Sequence, residues 1–425
     1  MRILVVGGGG REHALCWALR RDSPAAGLFA APGNPGTATL ATNLPIAATD
    51  VDALVAAATQ HDIDVTIVGP EAPLAAGLAD RFRAADRAVF GPGEAAARLE
   101  SSKAYAKEVM RRAGVPTGAS ATFTDVTDAL KYIEAHGEPL VVKASGLAAG
   151  KGVVVCATRA EAADVARAML AGNALGVAGN EIVVEEFLSG EELSVLALTD
   201  GEHIVILPPA QDHKRLGDGD SGPNTGGMGA YCPVALTTAP LLARVRSEVF
   251  EPVLREMAAQ GAPYEGVLYA GLMLAPDGAI SVLEFNCRFG DPEAQVILPG
   301  LAPGVSRHFL DIARRRWRPK RQVLAPTRAA VTTVLAARGY PEKPERGATI
   351  RIPTDLGPDV LVFHAGTARD ADGTLRAAGG RVLSVTGLGA DVRAAARASA
   401  AACERIAFEG KTWRRDIAWR ELQRA

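Results

Sequence analysis

The chain has 425 residues, more than one ordinary domain holds, so we expect about three units. Hydrophobic residues at 48 % and charged residues at 22 % are typical of soluble globular proteins, and a net charge of −2 argues against a nucleic-acid partner. The five cysteines form no Cys-x-x-Cys pair, which disfavours a zinc ribbon or disulfide framework and favours a cytoplasmic protein. The sequence has neither an apolar run long enough for a membrane span nor a signal-peptide core, so we expect no membrane partner.

The first hundred residues predict an α/β domain with a parallel sheet. Residues 3–6 form an apolar run before four glycines, and residues 11–21 have the apolar spacing of a helix. Further apolar runs alternate with helical stretches, and Pro-Gly or Gly-Pro pairs follow the runs. Strands that alternate with helices in this way are typical of βαβ units.

The glycine run in "GGGGREHAL" raises the question of a dinucleotide site. The Gly-x-Gly-x-x-Gly pattern needs a small residue at its last position. That position is Glu12 when the pattern starts at Gly7, and His13 when it starts at Gly8. This disfavours an NAD-dependent oxidoreductase. The glycines can form a tight turn, or a nest of backbone N–H groups that holds a single phosphate, and we favour the nest.

The stretch "GLAAGKG" at 146–152 lies between two β-rich runs, 140–143 and 153–156. It resembles a Walker A loop, but its glycine spacing is one residue short and Gly152 replaces the usual Ser or Thr. A flexible hairpin loop is the alternative interpretation. Lys143 ends an apolar strand, where a lysine is costly unless it pairs with an anion, so the pattern favours binding of ATP phosphates.

Two further motifs carry acidic residues at strand ends. In "IVVEEFLSGEE" the acids can be solvated surface charges, or Glu185 and Leu188 can contact an adenine. In "ISVLEFNCRFGDPE" the side chains of Glu284, Asn286 and Arg288 alternate onto one face of a strand. Two oxygen ligands suit magnesium shared with phosphates, and the arginine can clamp a carboxylate or phosphate. A salt-bridged strand end is the alternative, but we favour a functional site.

The polar run 210–233 has no helical or strand period, so we expect a functional or disordered loop without regular structure. Asp212 and Lys214 follow an apolar strand directly, and the glycines from 226 to 229 can present N–H groups to an oxyanion. On either side of this run, Asp-Gly turns predict two antiparallel hairpins. A basic, proline-bounded linker at 318–327 precedes a small α+β module.

Taken together, these motifs resemble the ATP-grasp carboxylate–amine ligases, and within them the glycinamide ribonucleotide synthetase family. The matching stretches follow the family's order over nearly the whole chain: "GGGGREHAL", "APGNPGT", "VGPEAPLAAGLAD", "FGPGEAAARLESSKAYAKEVM", "GLAAGKGV", "VVEEFLSGEELSVLALTDG", "AQDHKRLGDGDSGPNTGGMGAY", "LEFNCRFGDPEAQVILP" and "WRRDI". The resemblance implies an N-terminal substrate-binding α/β domain at 1–101, an ATP-grasp domain at 102–326 with a mobile lid at about 122–188, and an α+β domain at 327–425.

The resemblance also implies a reaction. ATP would activate glycine as glycyl phosphate, which 5-phosphoribosylamine attacks to give glycinamide ribonucleotide, ADP and phosphate in purine synthesis. ATP and Mg²⁺ or Mn²⁺ would be the cofactors, and we expect a monomer. One alternative is another purine-pathway ATP-grasp enzyme, such as the ATP-dependent aminoimidazole ribonucleotide carboxylase. A nucleotide-binding regulator without catalysis is disfavoured, because the charged residues of the motifs are intact.

The family's functional residues carry over onto matching positions. The implied ATP-binding residues are Lys103, Lys143, Gly150, Lys151, Gly152, Glu185, Glu186, Leu188 and Glu192. The implied metal ligands are Glu284 and Asn286. The implied catalytic residues are Arg288, Asp212, Lys214, Asp291 and Gly227. The residues implied to hold the phosphoribosylamine are Gly9, Gly10, Asn34 and Glu71. Three positions depart from the family pattern, with Ser145 for Asp, Cys287 for Ala and Trp419 for Gly.

Overall fold

The computed structural model describes residues 1–148, 152–171 and 176–424. Its N-terminal part is a five-stranded parallel sheet in the order β3-β2-β1-β4-β5, which confirms the predicted βαβ units. The strands are β1 (Arg2–Gly7), β2 (Gly27–Pro32), β3 (Thr42–Asn43), β4 (Val65–Val68) and β5 (Val89–Phe90). The helices are α1 (Gly10–Asp22), α2 (Val51–Gln60), α3 (Glu71–Ala75), α4 (Leu78–Ala84) and α5 (Glu94–Ser101), with a 3₁₀ turn at Thr37–Thr39.

The next segment forms a four-stranded antiparallel sheet in the order β6-β9-β7-β8, packed on two helices. It follows α6 (Lys103–Ala113) and contains β6 (Ser120–Phe123), α7 (Val126–Ala135), β7 (Leu140–Ala144), β8 (Val153–Cys156), α8 (Arg159–Leu170), a 3₁₀ turn at Gly176–Gly179 and β9 (Ile182–Glu186). The β7–β8 pairing confirms that the loop at 146–152 connects two strands of a hairpin. The predicted lid at about 122–188 stays a prediction.

A second antiparallel sheet, in the order β11-β10-β16-β17, confirms both predicted hairpins. Its strands are β10 (Glu191–Thr199), β11 (Ile204–Ile206), β16 (Gly266–Leu274) and β17 (Ile280–Asn286). The helices in this part of the chain are α9 (Ala239–Val245), a π-turn at Arg246–Phe250, α10 (Glu251–Ala259), α11 (Ala294–Gly300) and α12 (Ser306–Ala313).

A third sheet joins the polar run to the C-terminal module, in the order β12-β15-β18-β22-β19. The polar run contains β12 (Gln211–Asp212), β13 (Arg215–Gly217), β14 (Ser221–Asn224) and β15 (Gly229–Cys232). The C-terminal module contains β18 (Ala329–Ala336), β19 (Val360–His364), β20 (Thr367–Arg369), β21 (Leu375–Ala377), β22 (Arg381–Gly389), α13 (Val392–Arg405) and α14 (Trp419–Arg424). The pairs β13–β14 and β20–β21 form separate two-stranded sheets. None of the described helices is long and apolar enough to cross a membrane.

The expectation that residues 210–233 lack regular structure is therefore wrong. The run contains four strands of two to four residues, and β15 is buried between β12 and β18. Strands this short leave too few alternating positions for a sequence pattern to develop. One of them, β15, pairs with β18, which lies about a hundred residues further along the chain, and β13 pairs with β14 within the run.

Two histidines join helix α1 to the third sheet. The Nδ1 atom of His13 accepts the backbone N–H of His364 at 2.8 Å, and the His13 ring packs edge-on against Phe363. Burial, with a smaller contribution from His364, lowers the pKa of His13 to about 3. Burial, followed by Arg369, lowers the pKa of His364 to about 4. Both rings are therefore neutral in the folded protein at neutral pH.

This neutrality predicts a loss of stability in mild acid. An unfolded histidine takes up a proton below about pH 6.5, whereas folded His13 does so only near pH 3. The unfolded chain therefore binds more protons between these values, and each such histidine lowers the free energy of unfolding by about 1.4 kcal/mol per pH unit as the pH falls. In His13→Asn, the drop in urea midpoint between pH 7 and pH 5 should be smaller than in the parent. His136→Asn, at an exposed position, is the control, and an unchanged pH dependence in His13→Asn would contradict the prediction.

Candidate active site

A cavity of about 860 Å³ lies where the first two antiparallel sheets face the N-terminal domain and the third sheet. It brings together residues predicted from six separate motifs. The predicted residues that line it are Glu71, Lys103, Lys143, Gly152, Glu185, Glu186, Leu188, Glu192, Asp212, Lys214, Glu284, Asn286, Arg288 and Asp291. Gly9, Gly10, Asn34 and Gly227 do not line it directly, and Gly150 and Lys151 lie outside the described residues.

Lys143 is buried and paired with a carboxylate of the protein itself. One oxygen of Glu185 forms an ion pair with Lys143 and the other with Lys107, which extends from α6. Glu185 is only 4 % exposed, so its charge depends on these two cations. Lys107 also donates to Thr117 Oγ1 at 2.7 Å, and burial lowers its pKa despite Glu185. The sequence motifs did not single out Lys107, because a lysine on an amphipathic helix is normally at the surface.

Glu284 lies on β17 opposite Gly271, among three lysines. Burial opposes its ionisation, but Lys214, Lys143 and Lys103 together hold the pKa of Glu284 at about 2. The Nζ atom of Lys214 lies 2.7 Å from Glu192 Oε2 and 3.7 Å from Glu284 Oε1. Lys214 therefore links two carboxylates that the sequence placed in the nucleotide site. Asn286 follows on the same strand and also lines the cavity.

Arg288 is held between two glutamates from the N-terminal part of the chain. Its Nη2 lies 2.5 Å from Glu100 Oε1, and its Nε lies 3.2 Å from Glu71 Oε2. Burial of Glu71 is outweighed by Arg288 and Arg11, which lower the pKa of Glu71. Burial raises the pKa of Glu100 in spite of the same arginine. One guanidinium thus holds two carboxyl groups at the cavity wall, one with a lowered pKa and one with a raised pKa.

Asp212 and Glu293 are two carboxyl groups of the cavity whose negative charges act on each other. Burial, followed by the charge of Glu293, raises the pKa of Asp212 well above its usual range. Asp212 Oδ1 has no hydrogen-bond partner among the described residues, whereas Glu293 accepts the Tyr269 hydroxyl at 2.6 Å. Gly227 lies beside this pair with φ +104°, and a Cβ there would come within 2.7 Å of Asp212 Oδ1. Position 227 therefore admits no side chain.

The polar groups of the glycine turn bind other protein atoms. The N–H of Gly9 donates to Glu12 Oε2 at 2.6 Å, and Gly10 begins α1 against Gln295. The side-chain amide of Asn34 donates to the carbonyls of Gly8 and His364 at 3.0 and 2.8 Å. The predicted phosphate role of these residues stays a prediction.

Several charged or polar cavity residues were not predicted from the sequence. Among them are Arg11, Glu100, Glu293, Tyr340, Arg381 and Arg420. Arg11, Glu100 and Glu293 lie inside quoted motifs, in "GGGGREHAL", "FGPGEAAARLESSKAYAKEVM" and "RFGDPE", so a charged residue within a motif was an available signal. The C-terminal three come from segments whose local pattern carries no such signal, and only the fold brings them to the cavity.

The three departures from the family pattern are accommodated locally. The hydroxyl of Ser145 accepts the N–H of Ala104 at 3.2 Å, at the first turn of α6. The Cys287 thiol lies 3.0 Å from Glu100 Oε2, and burial raises its pKa, so this thiol is protonated at neutral pH. The Trp419 ring lies under the Arg420 guanidinium, 4.5 Å from it.

Two antiparallel sheets that enclose one cavity, with Lys143 on one and Glu284 on the other, define an ATP-grasp protein. The chain belongs to the phosphoribosylglycinamide synthetase family, as the sequence motifs predicted. The family's N domain matches residues 1–100, its ATP-grasp (A) domain residues 101–294 and its C domain residues 330–420.

Relatives of known name extend over the full chain. A phosphoribosylamine–glycine ligase of Xanthomonas campestris is 47 % identical over 433 residues, covering 100 % of this chain and 99 % of the relative. The crystal structure of phosphoribosylamine–glycine ligase from Thermotoga maritima has a TM-score of 0.86 at 37 % identity, covering 98 % of this chain and all of that one. The biotin carboxylase domain of Hydrogenobacter thermophilus 2-oxoglutarate carboxylase, solved with MgADP and bicarbonate, shares the fold at 17 % identity, with a TM-score of 0.73 and 97 % and 91 % coverage.

The double pairing of Glu185 predicts the effect of removing Lys107. In Lys107→Met the buried carboxylate keeps only Lys143, so the free energy of unfolding should fall by about 2 kcal/mol. Thermal unfolding checks this. Arg112→Met removes an exposed cation from the same helix, where the arginine contacts Glu108, and should leave the midpoint unchanged. Equal midpoints for the two variants would show that Lys107 does not stabilise Glu185.

Proposed function

We propose that this chain is an ATP-dependent ligase that joins glycine to 5-phosphoribosylamine and releases glycinamide ribonucleotide, ADP and phosphate. The observation that carries the proposal is the full-length similarity to phosphoribosylamine–glycine ligases, across the family's N, A and C domains. The chemistry needs ATP because a carboxylate is a poor acyl donor. Transfer of the γ-phosphate to glycine gives glycyl phosphate, whose phosphate leaves when the amine attacks.

The nucleotide end of the cavity supplies cations and hydrogen-bonding groups. Lys103 and Lys143 would hold the phosphates, with Gly152 and the predicted Gly150 and Lys151 as the covering loop. The acidic strand end would contact the base and sugar, through Glu185, Glu186, Leu188 and Glu192. The support is that these side chains line one cavity and that Lys143 is already adapted to an anionic neighbour, Glu185.

Glu284 and Asn286 fit a shared magnesium or manganese ion. Both present oxygen donors from one strand to the cavity, and the low pKa of Glu284 keeps its carboxylate ionised. The described residues contain no group of three or more His, Cys, Asp or Glu side chains able to hold a metal, so phosphate oxygens would complete the coordination. When bound, the ion would withdraw charge from the transferring phosphate.

The acceptor end would bind glycine and the phosphoribosylamine. Arg288 would face the carboxylate that is activated, and Lys214 the charge on the phosphate. Burial raises the pKa of Asp212 well above its usual range, so this carboxyl would take up a proton more readily than an exposed aspartate. The sugar phosphate would lie toward Gly9, Gly10, Asn34 and Glu71. The support for this side is that Gly9 adjoins Asp291, where a Cβ on Gly9 would lie 3.4 Å from Asp291 Oδ2. A monomer in the cytoplasm stays our prediction.

A substrate-pair assay tests the function. Purified protein with MgATP, glycine and freshly generated phosphoribosylamine should release ADP and form glycinamide ribonucleotide. Aminoimidazole ribonucleotide with bicarbonate is the comparison pair, and it should give no ADP above background. Turnover with the second pair alone would overturn the proposal.

The metal role predicts the behaviour of Glu284→Gln. The amide preserves the shape but removes the negative charge, so binding of Mn²⁺ in the presence of ATP should weaken at least about tenfold and turnover should fall about a hundredfold or more. Electron paramagnetic resonance of free Mn²⁺ measures the first effect. Asp277→Asn is the matched control, since Asp277 lies in the turn of the same hairpin and is exposed. Equal Mn²⁺ affinity in the two variants would refute the assignment.

A further inference from the structure

Arg381 extends from the start of β22 into the cavity and joins two segments of the ATP-grasp part. Its Nη1 donates to the carbonyl of Gly226 and, at 2.7 Å, to the carbonyl of Asp291. Its Nη2 lies 3.4 Å from Asp291 Oδ2, and the side chain is 23 % exposed. One guanidinium therefore connects the loop before β15 with the turn after β17.

Tyr340 gives the same loop a second contact from the C-terminal module. Its hydroxyl accepts the backbone N–H of Gly226 at 3.0 Å, so the N–H and the carbonyl of Gly226 are both bound by C-terminal side chains. The Tyr340 ring packs directly on Gly380, the residue before Arg381, where a Cβ would collide with the ring. Tyr340 and Arg381 thus act on Gly226 as one unit.

Of the two segments that Arg381 joins, one lies against Asp212 and the other carries Asp291, and both carboxylates belong to the proposed acceptor end. Gly227, next to the held peptide, leaves no room for a Cβ between Asp212 Oδ1 and Pro292. On the other segment, Asp291 Oδ1 accepts the side-chain amide of Gln295 at 2.7 Å. A shift of the Gly226–Gly227 peptide would therefore move the cavity wall at Asp212 relative to Asp291.

We propose that Arg381 is a positioning residue for the ligation: it holds the Gly226–Gly227 peptide and Asp291 in register, and so makes the C-terminal module part of the reaction machinery. The inference rests on the proposed function. Arginine suits the role because its planar fork can bind two carbonyls and a carboxylate together, whereas a lysine ammonium cannot keep that geometry. Loss of register by about 1 Å lowers a ligation rate about a hundredfold, because reacting groups must meet in one orientation.

Steady-state kinetics of Arg381→Met, Arg381→Ala and Tyr340→Phe test this role. We expect kcat of Arg381→Met with glycine and phosphoribosylamine to fall about a hundredfold, with KM for ATP within about twofold of the parent. Tyr340→Phe keeps the ring and loses only one acceptor, so kcat should fall about three- to tenfold. Guanidinium chloride, below denaturing concentrations, should restore part of the activity of Arg381→Ala, which a role in overall stability would not allow.

Hydrogen–deuterium exchange of the substrate-free protein gives a readout that does not need activity. The amides at 226–229 should exchange faster in Arg381→Met and Tyr340→Phe than in the parent. Arg369→Met is the control for both measurements, because Arg369 is exposed in the same module and does not line the cavity.

The outcomes distinguish a failure of the proposed ligase function from a failure of the positioning role of Arg381. A parent protein inactive with glycine and phosphoribosylamine would refute the proposed function, while the exchange data would still test the contacts of Arg381. An active parent with unchanged kcat in Arg381→Met would overturn the positioning role. If Arg381→Met does not fold, Tyr340→Phe is the deciding variant. Unchanged kcat in Tyr340→Phe, together with unchanged amide exchange at 226–229, would overturn the positioning role.

Discussion

The active-site cavity depends on one constraint, which is that buried charges must be paired. Glu185 lies between Lys107 and Lys143, Glu284 faces three lysines, and Arg288 lies between Glu71 and Glu100. Moving any of these groups from water into the protein is costly unless an opposite charge accompanies it. Arg288 is paired across domains, with Glu71 and Glu100 of the N domain, so its pairs also fix how the two domains meet. The site that we propose for a polyanion and a carboxylate is thus held together by ion pairs between the protein's own charged side chains.

The third sheet gives the C-terminal module a direct connection to this cavity. Strand β15 pairs with β18, so the polar run and the C-terminal module belong to one hydrogen-bonded sheet, although the basic segment at 318–327 lies between them along the chain. Arg414, fully buried, binds both Asp416 and Asp220, and ties the C-terminal segment to the β13–β14 hairpin. Together with Arg381, these contacts mean that the wall of the acceptor end is built by two distant parts of the chain. The apolar spacing within either part alone does not indicate that contact.

Much of the site followed from local pattern. The alternation of Glu284, Asn286 and Arg288 on a strand placed three groups at one cavity, and the apolar strand before Lys143 correctly predicted an anionic partner. That partner is Glu185, a residue that the sequence had assigned to the base of a nucleotide. Sequence reasoning also missed Lys107 and Arg381, because a cation on a helix or at the start of a strand carries no sign of what it will face. It was wrong about 210–233, where β15 pairs with the distant strand β18 and the other short strands pair within the run.

The sequence by itself determined the strands and helices of the N-terminal domain, the two hairpins, the family and the residue types of the proposed nucleotide site, since periodicity and ordered motifs are local properties of a chain. Only the tertiary structure decided which charges pair, how Gly226 is held and where the polar run folds. Those features depend on contacts between residues tens to hundreds of positions apart, and their free energy comes from burial and hydrogen bonding that exist only once the sheets have packed together.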